Sequence, residues 1–549
     1  MKASLPTPTL EMPTMFEKIK NRGEVQTDYQ IGQDNIQPSL GPLQLDIHSP
    51  VFPISALSVI ALVLFCLIFQ ETAASVFGAL RPWLTTQFDW VFTIGMNIFV
   101  LFCLFLVVSP LGKVRIGGKD ARPEYSYPAW FSMLFAAGMG IGLVFYGVLE
   151  PLNHTLTPPF GAPGVLDADG NLVDAAAAER AVLLGMAGTI FHWGLHPWAA
   201  YSVVALALGI FSYNKGLPMS IRSAFYPILG ERVWGWPGHL IDSLAALATL
   251  AGLATSLGYG ASQAAAGLNY LFGIEASIEL QVVIIIAVTA MAVVSVMRGL
   301  DGGVKLLSEL NMGLAALLFL FILVFGATTD IFQTFLGGLA SYAVNLPALS
   351  NWVGREDTGY FHGWTTFYWA WWIAWSPFVG MFIARVSKGR TVREFIITVL
   401  LVPTLVCVAW MAVFGGTAIS QLVNDGYTGV QQTIANWTPE LSLFAMLELL
   451  PLPALTSMVG IILVLVFFVT SSDSGSLVVD TICAGGKVDA PMPQRVFWCS
   501  FEGLIAIALL VGGGLASLQA LAIATGFPFT IVTVAMCYCI YQGLRSEAV

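Results

Sequence analysis

The chain has 549 residues, 57% of them hydrophobic and only 10% charged, against about 25% charged in an ordinary soluble domain. That composition excludes a soluble fold, and a net charge of -10, from 23 basic and 33 acidic side chains, offers no basic surface for nucleic acid. The seven Cys lie mostly in apolar runs and read as packing residues, not as a disulfide framework.

Residues 1–50 are polar and hold Pro6, Pro8, Pro13 and Pro38, which predicts a disordered N-terminal tail and no targeting segment. A helix that crosses a bilayer needs roughly 20 apolar residues. Such runs occur at 51–72, 90–108, 130–149, 182–210, 240–272, 281–297, 312–332, 361–386, 395–420, 455–479, 498–511 and 518–541. The fold class is therefore all-α integral membrane, with about 12 transmembrane helices filling 51–541 and a short terminus at 542–549. Between the third and fourth runs, residues 153–180 carry Asp167, Asp169, Asp174 and Glu179 and predict a solvated loop with a short Ala-rich helix. Residues 332–361 are too polar to span and too apolar for a free loop, so an interfacial helix is expected. Twenty of the Lys and Arg residues fall on one face of this arrangement, leaving Arg81, Arg180 and Arg355 for the other. Positive residues stay in the cytoplasm, so an even number of spans with both termini cytoplasmic in a multi-pass inner-membrane protein is expected.

Two spans carry helix-breaking residues in corresponding positions, which in transporters built from inverted repeats points to a midplane binding site. The third holds Gly138, Gly140 and Gly142; the eighth, five spans later, holds Ser376-Pro377. Glycines cost a helix up to about 1 kcal/mol each relative to Ala. Unwinding that frees carbonyls for a cation and close helix packing both account for them.

Aromatic residues gather inside the same spans. Trp193, Trp198 and Tyr201 share a broad face of the fourth; Trp369, Trp372 and Trp375 step by three along the eighth, with Trp371 pointing elsewhere. Ring faces in a bundle interior suit a quaternary ammonium, which has no N–H to donate and is held by ring quadrupoles at about 0.5 to 2 kcal/mol per ring. Interface anchoring is the alternative for any one of them. The tenth span ends in Thr470-Ser471-Ser472-Asp473-Ser474, hydroxyls that either ligate a hard cation such as sodium or bond back to their own helix. Asp473 reads as structural capping and Glu502 as a snorkelling or polar contact. His192 and His196 are four apart with no third ligand beside them, so packing is favoured over a metal. No nucleophile-base, phosphate-loop or paired-His motif stands out, which argues against an enzyme and a cofactor. A channel would need a continuous polar pore, whereas the polar residues gather at a midplane pocket.

These residues resemble the betaine/choline/carnitine transporter family over nearly all of the chain after the tail. The resemblance rests on Gly138-Met139-Gly140-Ile141-Gly142-Leu143 with Glu150-Pro151, Phe191-His192-Trp193-Gly194-Leu195-His196, Tyr368-Trp369-Ala370-Trp371-Trp372, Trp375-Ser376-Pro377-Phe378-Val379-Gly380, Ala384-Arg385-Val386-Ser387 and Thr470-Ser471 with Asp473-Ser474. It implies two inverted five-helix repeats (a LeuT-like core, about 130–332 and 361–541), a homotrimer and secondary uptake of compatible solutes by alternating access. It implies an aromatic box of Trp193, Trp198, Tyr201 and Trp372, with Trp375, Gly140 and Gly142 along the pathway. One sodium would use carbonyls of Ala136, Met139 and Phe467 with the hydroxyls of Thr470 and Ser471. A second would use Thr249 and Phe378, although Leu253 stands where relatives carry a second threonine. Choline-taking relatives carry Asp where this chain has Gly142, so the expected substrate is a zwitterion, glycine betaine or its sulfonium analogue dimethylsulfoniopropionate. Relatives that exchange carnitine without sodium have a basic residue on the fifth span; none lies between Asp242 and Phe272, which favours sodium symport over a sodium-independent exchanger of carnitine- or choline-type amines. The chain also lacks the long basic C-terminal tail of osmotically regulated relatives, which places tail-mediated osmosensing in doubt.

Overall fold

The computed structural model describes residues 25–40, 43–138, 140–298 and 305–547. Apolar runs become helices because a backbone in hydrocarbon must satisfy its polar groups within its own segment. In chain order the long helices are α1 (Val51–Ile68), α2 (Gln70–Gln87), α3 (Asp89–Val108), α4 (Tyr127–Gly138), α5 (Ile141–Leu156), α6 (Ala175–Trp193), α7 (Leu195–Gly209) and α8 (Trp236–Phe272). They continue as α9 (Ile278–Arg298), α10 (Lys305–Phe325), α11 (Thr328–Leu349), α12 (Thr366–Val386), α13 (Val392–Val423), α14 (Pro453–Cys483), α15 (Met492–Val511) and α16 (Gly514–Glu547). Ten among the described residues are long and apolar enough to cross a membrane, eleven if the bent pair α4 and α5 counts as one span. The expected span absent from that set is α12, whose Trp and Tyr residues lower its mean hydropathy while α7, α8 and α16 surround it.

The two breaks expected as a pair behave differently. Between α4 and α5 the axis bends by 69°, so the glycine run does interrupt the helix. In α12 the helix runs unbroken through Pro377. Pro377 has no N–H for the carbonyl of Ile373, and the Ser376 hydroxyl donates to that carbonyl instead, at 2.7 Å. A different break was not foreseen: the fourth span divides at Gly194, where a Cβ would stand 2.6 Å from the Ile190 carbonyl oxygen.

Four further expectations are corrected. Residues 70–87 form α2 where no second helix was expected, and it packs on α16. The Ala-rich stretch after Asp174 is the first turn of α6, capped by the Asp174 side chain accepting from the Ala177 N–H at 2.9 Å, and not a separate short helix. The described part of the expected disordered tail is folded: Asn35–Ile36 pairs antiparallel with Ile47–His48. Asp46 bonds Lys487, and the His48 ring, fully buried, accepts from Arg222 at 3.2 Å. Residues 1–24 lie outside the described residues. The stretch taken as a short terminus continues α16 to Glu547, which pairs with Lys215 at 2.5 Å, while the Val25 N–H donates to the Lys215 carbonyl. Both ends of the described chain thus meet at the same end of the bundle, as an even number of crossings requires. The helix expected within 332–361 is α11, which lies along α6 and α13.

Candidate functional site

The α4–α5 break, the α6–α7 break, α12 and α14 enclose a cavity of about 630 Å³. Its walls carry Trp193, Trp198, Tyr201, Trp372 and Trp375, and also Gly140 and Gly142. The Trp193 and Trp372 rings meet edge to face, 4.9 Å between centroids at 80°. Tyr201 stands at 89° to Trp372 at 6.1 Å, and Trp198 at 79° to Tyr201 at 5.3 Å. Mutually perpendicular rings present their faces from several sides to one small volume, the arrangement that holds a methylated cation by its quadrupoles.

Trp371 requires a correction. It lines the cavity, stacked on Trp372 at 5.3 Å, whereas Trp369 is buried against Phe191 and His196. A stripe stepping by three drifts around a helix of 3.6 residues per turn, so its first member leaves the cavity and a residue from the adjacent row takes the place. Trp371 and Trp375 both line the cavity, but their Nε1 atoms are buried away from it, without a partner among the described residues. Gly142 keeps this wall open: a Cβ there would lie 2.9 Å from Cη2 of Trp371 and 3.2 Å from that of Trp193.

What fixes the box is Glu150, which the sequence offered only as part of a motif. Its carboxylate is fully buried and accepts from Trp193 Nε1 at 2.6 Å, from the Tyr368 hydroxyl at 2.5 Å and from His192 Nδ1 at 2.6 Å. His192 in turn bonds Thr365 through Nε2, and its carbonyl accepts from Trp372 Nε1 at 2.8 Å. One carboxylate therefore holds Trp193 directly and Trp372 through the His192 backbone. The third group missing beside His192 in the sequence is thus present in space, as Glu150 with His154, while His196 turns to Asn97. Glu150, His154 and His192 could hold a metal ion by proximity, but Oε2 already accepts from Trp193 and Tyr368, and Oε1 from His192. A Glu and a His four apart inside an apolar run, Glu150 and His154, was the signal available in sequence.

One turn along α5 from Gly142, between the cavity and Glu150, Tyr146 closes this end, with Tyr259 and Tyr368 each 5.5 Å from it and Trp371 at 6.0 Å. At its other end stand Arg385 and Glu309. Glu309 is the one acid on the wall among the described residues.

The expected ion ligands Ala136, Phe467, Thr470 and Ser471 all line the same cavity; Met139 lies outside the described residues. The Thr470 hydroxyl donates to Val466 and Phe467 carbonyls at 3.0 and 3.2 Å within an unbroken α14. Of the second pair, Phe378 lines the cavity but Thr249 does not, its hydroxyl donating to Ala245 at 2.8 Å. Asp473 is paired with Arg495 at 3.1 Å, and Glu502, far from snorkelling, is wholly buried and accepts from Ser472 at 2.7 Å.

Residues 50–549 match the family described as betaine/carnitine/choline family transporter. The chain is 58% identical to a glycine betaine/proline/choline transporter of Vibrio parahaemolyticus across 95% of each chain. It is 53% identical to glycine betaine transporter 1 of the same organism, covering 95% of this chain and 97% of that one. A glycine betaine transporter of Acinetobacter baylyi is 40% identical over 92% of this chain and 74% of its own length.

Proposed function

Because the chain belongs to the betaine/carnitine/choline family of transporters, a multi-pass membrane protein and not an enzyme, we propose that it takes up a betaine-like zwitterion by sodium-coupled symport with alternating access. The carrying observation is the box of perpendicular rings around Trp372, tied to Glu150 and His192, on a cavity whose wall carries one acid, Glu309, among the described residues. Rings hold the onium group by cation–π attraction. Glycine betaine and dimethylsulfoniopropionate both fit, since ammonium and sulfonium heads are methylated cations of similar size. The relatives' names extend to proline and choline; with Gly142 in place of an acid on the cavity wall, and the Glu150 carboxylate behind the rings taken up by its three donors, this chain favours the zwitterions over choline.

Sodium is assigned to the cavity wall where Ala136 and Phe467 meet Thr470 and Ser471, after the Thr470 hydroxyl turns from its own helix toward the ion. One sodium entering down about 100 mV supplies roughly 2.3 kcal/mol, about 50-fold accumulation of a neutral solute. The cavity is closed on the Tyr146 side and extends toward Arg385, on the face that bears most of the Lys and Arg. With both termini cytoplasmic, this is a state that faces inward.

The test is uptake of labelled glycine betaine into proteoliposomes with and without an inward sodium gradient, competed by dimethylsulfoniopropionate, carnitine and choline. Sodium-driven accumulation that zwitterions block and choline does not supports the assignment. Uptake indifferent to sodium but stimulated by substrate preloaded inside refutes the symport.

A further inference from the structure

On the side of α14 turned away from the cavity, a second polar cluster lies between α9, α14 and α15, three helices packed against one another. Thr470 and Ser471 face the cavity, but Ser472, one residue on and about 100° around the helix, points at α15 and donates to Glu502. Glu502 is 0% exposed, and its other oxygen has no partner. The neighbouring Asp473, 1% exposed, gives one oxygen to Arg495 and leaves the other without a partner. From α9, Ser295 faces the Asp473 carboxyl, 4% exposed and with its hydroxyl likewise unpartnered. Thr289 lies a turn and a half away, against Gly503, with its hydroxyl also free.

Buried polar atoms without partners are rare and each needs an explanation, and here Glu502, Asp473 and Ser295 each bring one from helices packed against one another. With both acids ionised, Glu502, Asp473 and Arg495 carry one negative charge in excess, which is costly at membrane depth. Protonating Glu502 would remove the charge, its O–H donating to the Ser472 hydroxyl and the Ser472 proton turning to Cys499 Sγ at 3.4 Å, but would leave the Asp473 oxygen and the Ser295 hydroxyl unpaired. One monovalent cation ligated by oxygen satisfies the charge and the oxygens together, whereas a divalent ion would overshoot. Ser295 also lines a cavity of about 420 Å³ between α9 and α10, with Arg298 beside it.

We propose that Glu502, Asp473, Ser472 and Ser295 form a sodium-binding site separate from the substrate cavity and from the Thr470–Ser471 ligands. An ion there braces α14 from behind, on the helix whose opposite face bears the coupling residues. Occupancy therefore ties α9 and α15 to α14.

Equilibrium binding of sodium-22 to the purified full-length protein at pH 8 tests this in a T470A/S471A background, which removes the cavity hydroxyls and so separates the two sites. Saturable sodium binding is expected to persist there, to be lost when Glu502→Gln is added, and to weaken about tenfold or more with Ser472→Ala, which removes one bond to a charged group. Ser472→Ala decides the matter if Glu502→Gln does not fold. Absence of saturable binding in T470A/S471A, binding that survives both added substitutions, or displacement by potassium as readily as by sodium overturns the site.

Discussion

Replacing Glu150 by Gln is the sharpest probe of how the box is held. The carboxylate accepts three hydrogen bonds, from Trp193, Tyr368 and His192, all at 2.5 to 2.6 Å and fully buried. A Gln in the same rotamer keeps one acceptor oxygen for Trp193 and Tyr368, while its amide turns to His192, which can accept at Nδ1 and donate from Nε2 to Thr365. Every donor then still has a partner, and what is lost is the charge. Bonds to a charged group contribute about 1.5–3 kcal/mol against about 0.5–1.5 for neutral ones, so two such bonds lose about 2 kcal/mol. If that loss falls on the placement of Trp193, glycine betaine binding weakens by about 30-fold. Glu150→Ala instead strands three buried donors at about 1–3 kcal/mol each, so it should lower the melting temperature markedly as well. Tryptophan fluorescence titration with glycine betaine, beside thermal unfolding in detergent, reads both effects. Glu150→Ala with the affinity and melting temperature of the parent would refute the argument that this carboxylate organises the box.

Trp371→Ala and Trp372→Ala are both expected to weaken binding by about tenfold or more, the loss of one desolvated ring, while Trp369→Ala leaves affinity nearly unchanged; isothermal titration separates the three. Gly142→Ala places a Cβ 2.9 Å from Trp371, an overpacking cost of about 1–3 kcal/mol, and should raise the Kd for glycine betaine about 5- to 150-fold; an unchanged Kd would mean the rings move freely. Acidification should release the docked N-terminal segment. Burial, then the Arg222 charge, depresses the His48 pKa to about 3, so the bound form is neutral and the released form takes up a proton below about pH 6.5. The sign is destabilising as pH falls through this window, by about 2 kcal/mol at pH 5. Asp46 acts in the same direction: despite burial, which opposes it, bonds from Lys487 and Asn35 hold its carboxyl below the usual range, a contribution lost only at still lower pH. Hydrogen exchange over residues 25–50 should rise between pH 7 and 5, and His48→Gln should flatten that rise.

Apolar run length and charge placement determined the helical membrane class by themselves, because a backbone without water must close its own hydrogen bonds and because Lys and Arg resist translocation. The rings of Trp193, Trp198, Tyr201, Trp372 and Trp375 were legible for a similar reason: large aromatics away from helix ends are rare enough to be noticed one span at a time. Gly138 and Gly140 announced a real break, since few residues weaken a helix more. The rest depended on neighbours distant in sequence. Whether Pro377 breaks α12 turned on one hydroxyl, that of Ser376, reaching the freed carbonyl. Which of Trp369 and Trp371 faces the cavity turned on the rotation of α12 against α7, which a period of three cannot specify. The N-terminal strands form only because Lys487, Gln494 and Arg222 stand ready to receive Asp46 and His48. Glu150 and Glu502 look alike in the sequence, each an acid stranded in an apolar run. Tertiary structure alone separated them, giving Glu150 a full set of donors and leaving Glu502 one oxygen short, because a buried carboxylate's role is set by what surrounds it.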